Sequence, residues 1–174
     1  MSKRIINRVM NVANDNNIKI FYQDTDSMHL YRDDLKRLIE LYNEKYQTEI
    51  AGNLLGQFHP DFKYKKDDGT KIKADRLYST KSIFLAKKCY LDRIEYDGME
   101  QGKEKYHLRL KGITKEGLEH KADELKGYEN IYDQLSQDKE LKFILNPPEK
   151  DKVSFEFNIN GVKTRDLFTR LIKV

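Results

Sequence analysis

Ile18-Lys19-Ile20-Phe21-Tyr22-Gln23-Asp24-Thr25-Asp26-Ser27-Met28-His29-Leu30-Tyr31 is the stretch whose reading decides the fold. Ile18, Ile20 and Tyr22 alternate with Lys19, Phe21 and Gln23, and beyond the acids Met28 and Leu30 alternate with His29 and Tyr31. A period of two on both sides of Asp-Thr-Asp-Ser predicts a hairpin that carries carboxylates at its tip. Two carboxylates on rigid flanks repel each other and lose hydration unless a cation or donors offset the charge. A divalent metal is therefore a natural partner for Asp24 and Asp26. Asp, Thr and Ser are also ordinary turn formers, because their side chains bond nearby backbone groups. A bare Asp-x-Asp thus reads more readily as a plain turn than as a metal site. It is not an EF-hand loop, since the turn glycine and the closing Glu are missing.

Working outward, residues 2–15 read as a helix with Ile5, Ile6, Val9, Met10 and Ala13 on one face, ended by Asn14-Asp15-Asn16-Asn17. Asp33 or Asp34 is expected to cap a second helix running to about Tyr46, with Leu35, Leu38, Ile39 and Tyr42 at helical spacing. A loop-rich crossing follows through His59-Pro60, and Lys65-Lys66-Asp67-Asp68-Gly69 reads as a turn. From Leu77 to Leu110 the pattern is strand-like, broken at Asp97-Gly98 and Gly102. Thr114 caps a predicted helix carrying Leu118, Ala122 and Leu125, and residues 128–135 predict another. Pro147-Pro148 separates off a final segment, where Val153, Phe155 and Phe157 alternate before the turn signal Asn160-Gly161. That alternation reads as core packing rather than base stacking. Antiparallel hairpins with separate helices give an α+β class.

Composition bounds the partners less sharply. The chain has 174 residues, 33 Lys plus Arg and 29 acids, a net charge of +4. So mild an excess does not establish nucleic-acid binding, for which clustering matters more. Cys89 is the sole cysteine, which excludes an internal disulfide and fits a reducing, intracellular compartment. No apolar run approaches the ~20 residues needed to cross a bilayer, and the N-terminus lacks a signal-peptide core, so no membrane partner is expected.

The string Tyr22-Gln23-Asp24-Thr25-Asp26-Ser27 closely resembles the Tyr-x-Asp-Thr-Asp-Ser motif of family B DNA polymerases, and Lys88-Cys89-Tyr90 resembles their Lys-x-Tyr motif, in the same order. Residues 52–62, Gly-Asn-Leu-Leu-Gly-Gln-Phe-His-Pro-Asp-Phe, resemble the connecting segment of the protein-primed branch found in phages, linear plasmids and virus-like elements. The resemblance covers about the first 115 residues, and the ordered pair of motifs is its specific part. It implies an antiparallel polymerase-type palm sheet with helices on one face over residues 1–112, then a small mixed α/β thumb over 113–174. Lys111-Gly112-Ile113 resembles the palm-to-thumb exit.

The resemblance also implies roles. Two-metal nucleotidyl transfer places divalent ions about 3.5–4 Å apart between substrate phosphate and the primer hydroxyl. Asp26 is then the direct Mg2+ ligand and Asp24 the adjacent carboxylate, with Thr25 and Ser27 shaping the turn and Tyr22 packing near the primer terminus. Lys88 would contact primer-strand phosphate or sugar, supported by Tyr90 on the same side of a strand, while Lys87 points to template or solvent. The bland reading of these lysines is a strand edge protected by charge. His29 and His59 show no zinc-ligand spacing and read as loop or packing histidines. Cys89 reads as structural. Lys115, Lys121 and Lys126, interspersed with Glu116, Glu119, Asp123 and Glu124, read as a solvated helix face.

Three parts of the resembled family are not in the chain. Neither the upstream Asp-x-x-Ser-Leu-Tyr-Pro motif nor the fingers motif ending Asn-Ser-x-Tyr-Gly occurs, and the exonuclease motifs are absent too. The expectation is therefore a C-terminal palm and thumb part of a replicative DNA polymerase, inactive alone. Its expected partners are primer-template DNA, dNTP and an N-terminal polymerase part that supplies the first palm half and fingers. Its setting would be a host cytoplasm or nucleus, or a viral replication site. The competing reading is a non-catalytic nucleic-acid or protein-interaction module that keeps the palm hairpin. Exposed apolar residues on the first helix would favour a missing partner.

Overall fold

The computed structural model describes residues 2–147, 155–158, 161–164 and 169–173. Helix α1 (Ser2–Asp15) forms where predicted. Ile6, Val9, Val12 and Ala13 recur at helical spacing and are all buried. Val9, Val12 and Ala13 meet Leu38 and Tyr42 of α2 (Arg32–Tyr46), with Ile18 and Ile50 completing this core. Asn17 takes the left-handed conformation, φ 56°, and closes α1, after which the Ile18 N–H bonds back to the Ala13 carbonyl at 2.8 Å. Helix α2 starts two residues earlier than a cap at Asp33 allows. Tyr31 occupies the cap position without a side-chain bond, and Asp33 and Asp34 instead lie in the first turn, where carboxylates favour the positive end of the helix.

Strands β1 (Ile20–Asp24) and β2 (Ser27–Leu30) form the predicted antiparallel hairpin. Asp24 pairs with Ser27, Gln23 with Met28, Tyr22 with His29 and Ile20 with Leu30, and the register shifts between Ile20 and Tyr22. Such a bulge changes which face a side chain takes. Ile20, Met28 and Leu30 pack on the helical core, whereas Tyr22 and His29 contact the rings of a different cluster.

Two short strands, β3 (Tyr64–Lys65) and β4 (Lys71–Ile72), flank the predicted turn. Next come β5 (Leu77–Ala86), β6 (Cys89–Tyr96) and β7 (Lys105–Leu110), a three-stranded sheet in the order β5-β6-β7. Tyr64, Leu77 and Ile94 are its buried core, with Phe62, Ile72, Tyr96 and Met99 packed around them. Among the described residues the β1–β2 hairpin forms a sheet of its own rather than joining this ladder.

Helix α3 (Lys115–Leu125) begins as the sequence predicts, with Thr114 Oγ1 accepting the Gly117 N–H at 3.0 Å. Such a cap is worth about 1 kcal/mol. Helix α4 (Tyr128–Ser136) follows, then β8 (Leu141–Ile144), which pairs with β11 (Thr169–Ile172). Between these last two, β9 (Phe155–Asn158) and β10 (Gly161–Thr164) pair antiparallel, which is the expected final hairpin. Pro148, Val153 and Asn160, the expected separator, strand start and turn residue, lie outside the described residues, as does the packing of the Phe155 and Phe157 side chains.

The chain is thus α+β, with four helices and small antiparallel sheets. It divides into two compact units, Met1–Phe84 with Asp92–His107, and Leu85–Leu91 with Leu108–Val174. In the second unit Ile131, Tyr132, Leu135 and Phe143 are sealed from solvent, and Tyr132 Oη donates to the Arg109 carbonyl at 2.8 Å. Among the described residues no helix is long and apolar enough to cross a membrane.

Candidate functional site

The acidic turn stands at the end of the β1–β2 ladder, in the first unit. Asp24 is half-buried and its Oδ1 accepts both the Thr25 N–H at 2.8 Å and the Thr25 hydroxyl at 3.3 Å. Thr25 therefore shapes the turn, as its residue type predicts. Asp26, next in the turn, is exposed. The donors are oxygens only, which suits a hard cation: Mg2+ is commonly held by one or two carboxylates while keeping waters and substrate phosphates as its other ligands. Among the described residues no group of three or more His, Cys, Asp and Glu side chains is arranged around a common metal position. Asp24 and Asp26 thus do not form a closed metal cage with other side chains among the described residues.

Tyr22 faces away from the helical core. Its ring stacks on Phe84 at 5.3 Å and 7°, and His29 lies edge-on to both, 5.4 Å from Tyr22 and 5.0 Å from Phe84. His29 is therefore a strand histidine built into a ring cluster, not a loop residue. His59 is exposed in the loop.

Behind His29 lies a group that sequence patterns did not reveal. Asp92, in the middle of β6, has no solvent exposure. Ser82 Oγ of β5 donates to its Oδ1 at 2.6 Å. His29 Nδ1 of β2 stands 3.6 Å from the same oxygen, and His107 Nδ1 of β7 stands 3.5 Å from Oδ2. Burial by itself would raise the Asp92 pKa. The interactions with His107, His29 and Ser82 outweigh it and hold the carboxyl at about 2, so Asp92 is an anion. A signal for it was present. Tyr90, Asp92 and Ile94 share one side of β6, so an acid stands in register between two buried apolar residues. Asp is disfavoured in strands and rarely buried without partners.

The second motif belongs to the other unit. Lys87 and Lys88 form the two-residue turn between β5 and β6, and both are exposed. The expectation that Lys88 and Tyr90 share a strand face fails, because Lys88 is not in a strand. It takes φ 59°, the left-handed conformation that so short a turn requires. Its carbonyl accepts the Lys111 N–H at 3.0 Å, which ties this turn to the segment entering α3. Gly112 follows at φ 83°, and a Cβ there would run into the Arg170 guanidinium, which donates to the Gly112 carbonyl at 3.3 Å. Tyr90 is buried in β6. Cys89 is buried too, and desolvation pushes its thiol up to about 11, in keeping with a structural role.

The α3 face departs from expectation at one position. Lys115 and Glu119 pair across one turn at 3.4 Å on the exposed surface, but Lys121 is buried, 7% exposed, bonding Glu124 at 2.6 Å. Its ammonium lies 5.8 Å from the centre of the Phe143 ring. An aromatic face and a carboxylate together offset the desolvation of that ammonium.

Comparison of the chain with protein-family models, with curated proteins and with solved structures gives no match.

Proposed function

We propose that this chain is the C-terminal palm and thumb part of a family B-like DNA polymerase, with Asp24 and Asp26 as its contribution to a two-metal nucleotidyl-transfer site. The observation that carries the reading is the acidic pair at the tip of an antiparallel hairpin, Asp26 exposed and Asp24 fixed by Thr25. Asp24 and Asp26 would hold divalent ions, which when bound lower the charge on the phosphates and activate the primer hydroxyl. Tyr22, stacked on Phe84, would floor the primer end. Lys87 and Lys88 are exposed residues on a turn, a placement suited to phosphate contact in duplex DNA. The nucleotide-gripping lysine and the upstream carboxylate would come from an upstream polymerase part, on the same gene product or on a separate one.

The test is primer extension with Mg2+, using the chain alone and mixed with a polypeptide that carries the upstream polymerase motifs. Incorporation is expected only in the mixture. Asp26→Ala should lower it by at least on the order of 10²–10³-fold while circular dichroism stays native, and Asp24→Ala should be severely impaired. Full turnover by Asp26→Ala in the mixture would refute the metal assignment. Robust incorporation by the chain alone would refute the need for a partner.

One observation favours a second reading, a non-catalytic nucleic-acid or protein-interaction module. The apolar face of α1 is covered by the unit's own core, where a missing partner on that helix would leave it exposed. The large exposed apolar side chains lie elsewhere, notably Leu54 at 75% and Leu55 at 95%. Binding of primer-template DNA without extension in any mixture would select this reading.

A further inference from the structure

The β1–β2 hairpin shares no backbone ladder with β5-β6-β7 among the described residues. Side-chain contacts therefore link it to that sheet, while Ile20, Met28 and Leu30 seat it on the helical core. The contacts to the sheet converge on one buried carboxylate: Ser82 from β5, His29 from β2 and His107 from β7 all address Asp92 of β6. Ser82 donates a hydrogen bond to it, whereas the imidazole nitrogens that face it, Nδ1 of His29 and Nδ1 of His107, stand at 3.6 and 3.5 Å, an electrostatic rather than a hydrogen-bond distance. His29 is pinned on its other side by the rings of Tyr22 and Phe84. Tyr22 in turn is two residues from Asp24 on the same side of β1. A buried charge is a poor way to gain stability, because apolar residues of similar volume do as well or better. What a carboxylate adds is direction: its charge favours the ring rotations that turn a polar nitrogen of each imidazole towards it.

We propose that Asp92 is a positioning residue for the acidic turn: through His29 and Tyr22 it holds the β1–β2 hairpin in the orientation that presents Asp24 and Asp26 to a divalent cation. The proposal rests on the reading of Asp24 and Asp26 as cation-binding carboxylates.

The experiment is a Mn2+ titration of the 174-residue chain, followed by paramagnetic broadening of the backbone amide signals of Thr25, Asp26 and Ser27. Mn2+ alone is the probe. Broadening centred on the turn is expected in the unaltered chain and is lost in the double variant Asp24→Asn, Asp26→Asn. In Asp92→Asn, at a temperature where circular dichroism shows it folded, the Mn2+ midpoint should rise measurably, by no more than the about 10–100-fold found for partners that touch a metal ligand directly. Nitrogen-15 shifts should show His29 Nδ1 protonated in the unaltered chain and losing that preference in the variant. An Asp92 with only a structural role would lower the melting temperature but leave the Mn2+ midpoint of the folded variant unmoved, and that result would overturn the proposal. If Asp92→Asn does not fold, Ser82→Ala removes one donor to the same oxygen and should give a smaller shift in the same direction; an unchanged midpoint there overturns it equally. Absence of broadening in the unaltered chain, or its persistence in the double variant, would instead remove the acidic-turn reading, and the positioning role with it.

Discussion

Replacing Asp92 by Asn keeps the side chain's shape and removes the charge at which Ser82, His29 and His107 are aimed. The carboxyl's pKa falls from 3.8 to about 2 on folding. A tenfold change in an acid's dissociation constant corresponds to about 1.4 kcal/mol, so folding stabilises the Asp92 anion over the neutral acid by about 2 kcal/mol. Asn mimics the neutral group, so about 2 kcal/mol is the expected loss. The unit that holds Asp92 comprises Met1–Phe84 and Asp92–His107, about 100 residues. At about 4–8 °C per kcal/mol for a domain of that size, melting should fall by about 8–16 °C at pH 7. The sign of the pH dependence follows from the depressed pKa. The stabilisation is complete above the unfolded-state value and is lost as pH falls through about 2. Thermal melts by far-ultraviolet circular dichroism from pH 7 downward should therefore show a gap between the two proteins that holds above about pH 5 and closes in acid. A gap under about 2 °C at pH 7, or one that persists undiminished at the acid end, would contradict this account of Asp92.

Other outcomes follow from the same geometry. Lys88→Ala, in the mixture that supports extension, should weaken primer-template binding and reduce the slope of log affinity against log salt by about 1, as removal of one phosphate contact does; an unchanged slope assigns Lys88 to the turn alone. Lys88→Gly, which accepts the positive φ at no steric cost, should lose the same contact while keeping or raising the melting temperature. Cys89 should react with iodoacetamide in the native chain far more slowly than in urea, because burial both blocks access and keeps the thiol protonated near pH 7. Native labelling at the denatured rate would show that β6 opens readily.

Local chemistry accounts for what the sequence determined by itself. Apolar spacing specified α1 and α2, alternation specified the β1–β2 hairpin and its acidic tip, and Thr114 marked the start of α3 by a bond that needs only its near neighbours. Asp24 and Asp26 were legible because their turn and flanking strands lie within one short stretch, and Thr25 closes onto Asp24 locally. The tertiary structure decided what depends on pairing between distant strands. It put Lys88 in a turn rather than on the face of Tyr90, since where β5 ends and β6 begins is set by the sheet's register. It buried Lys121 against Phe143, which lies beyond the next helix. Above all it brought together His29, Ser82, Asp92 and His107, four polar residues from four strands with no common spacing. No period in the sequence announces such a group, because what makes an acid at position 92 tolerable is not its neighbours in the chain but the partners that three other strands deliver to it.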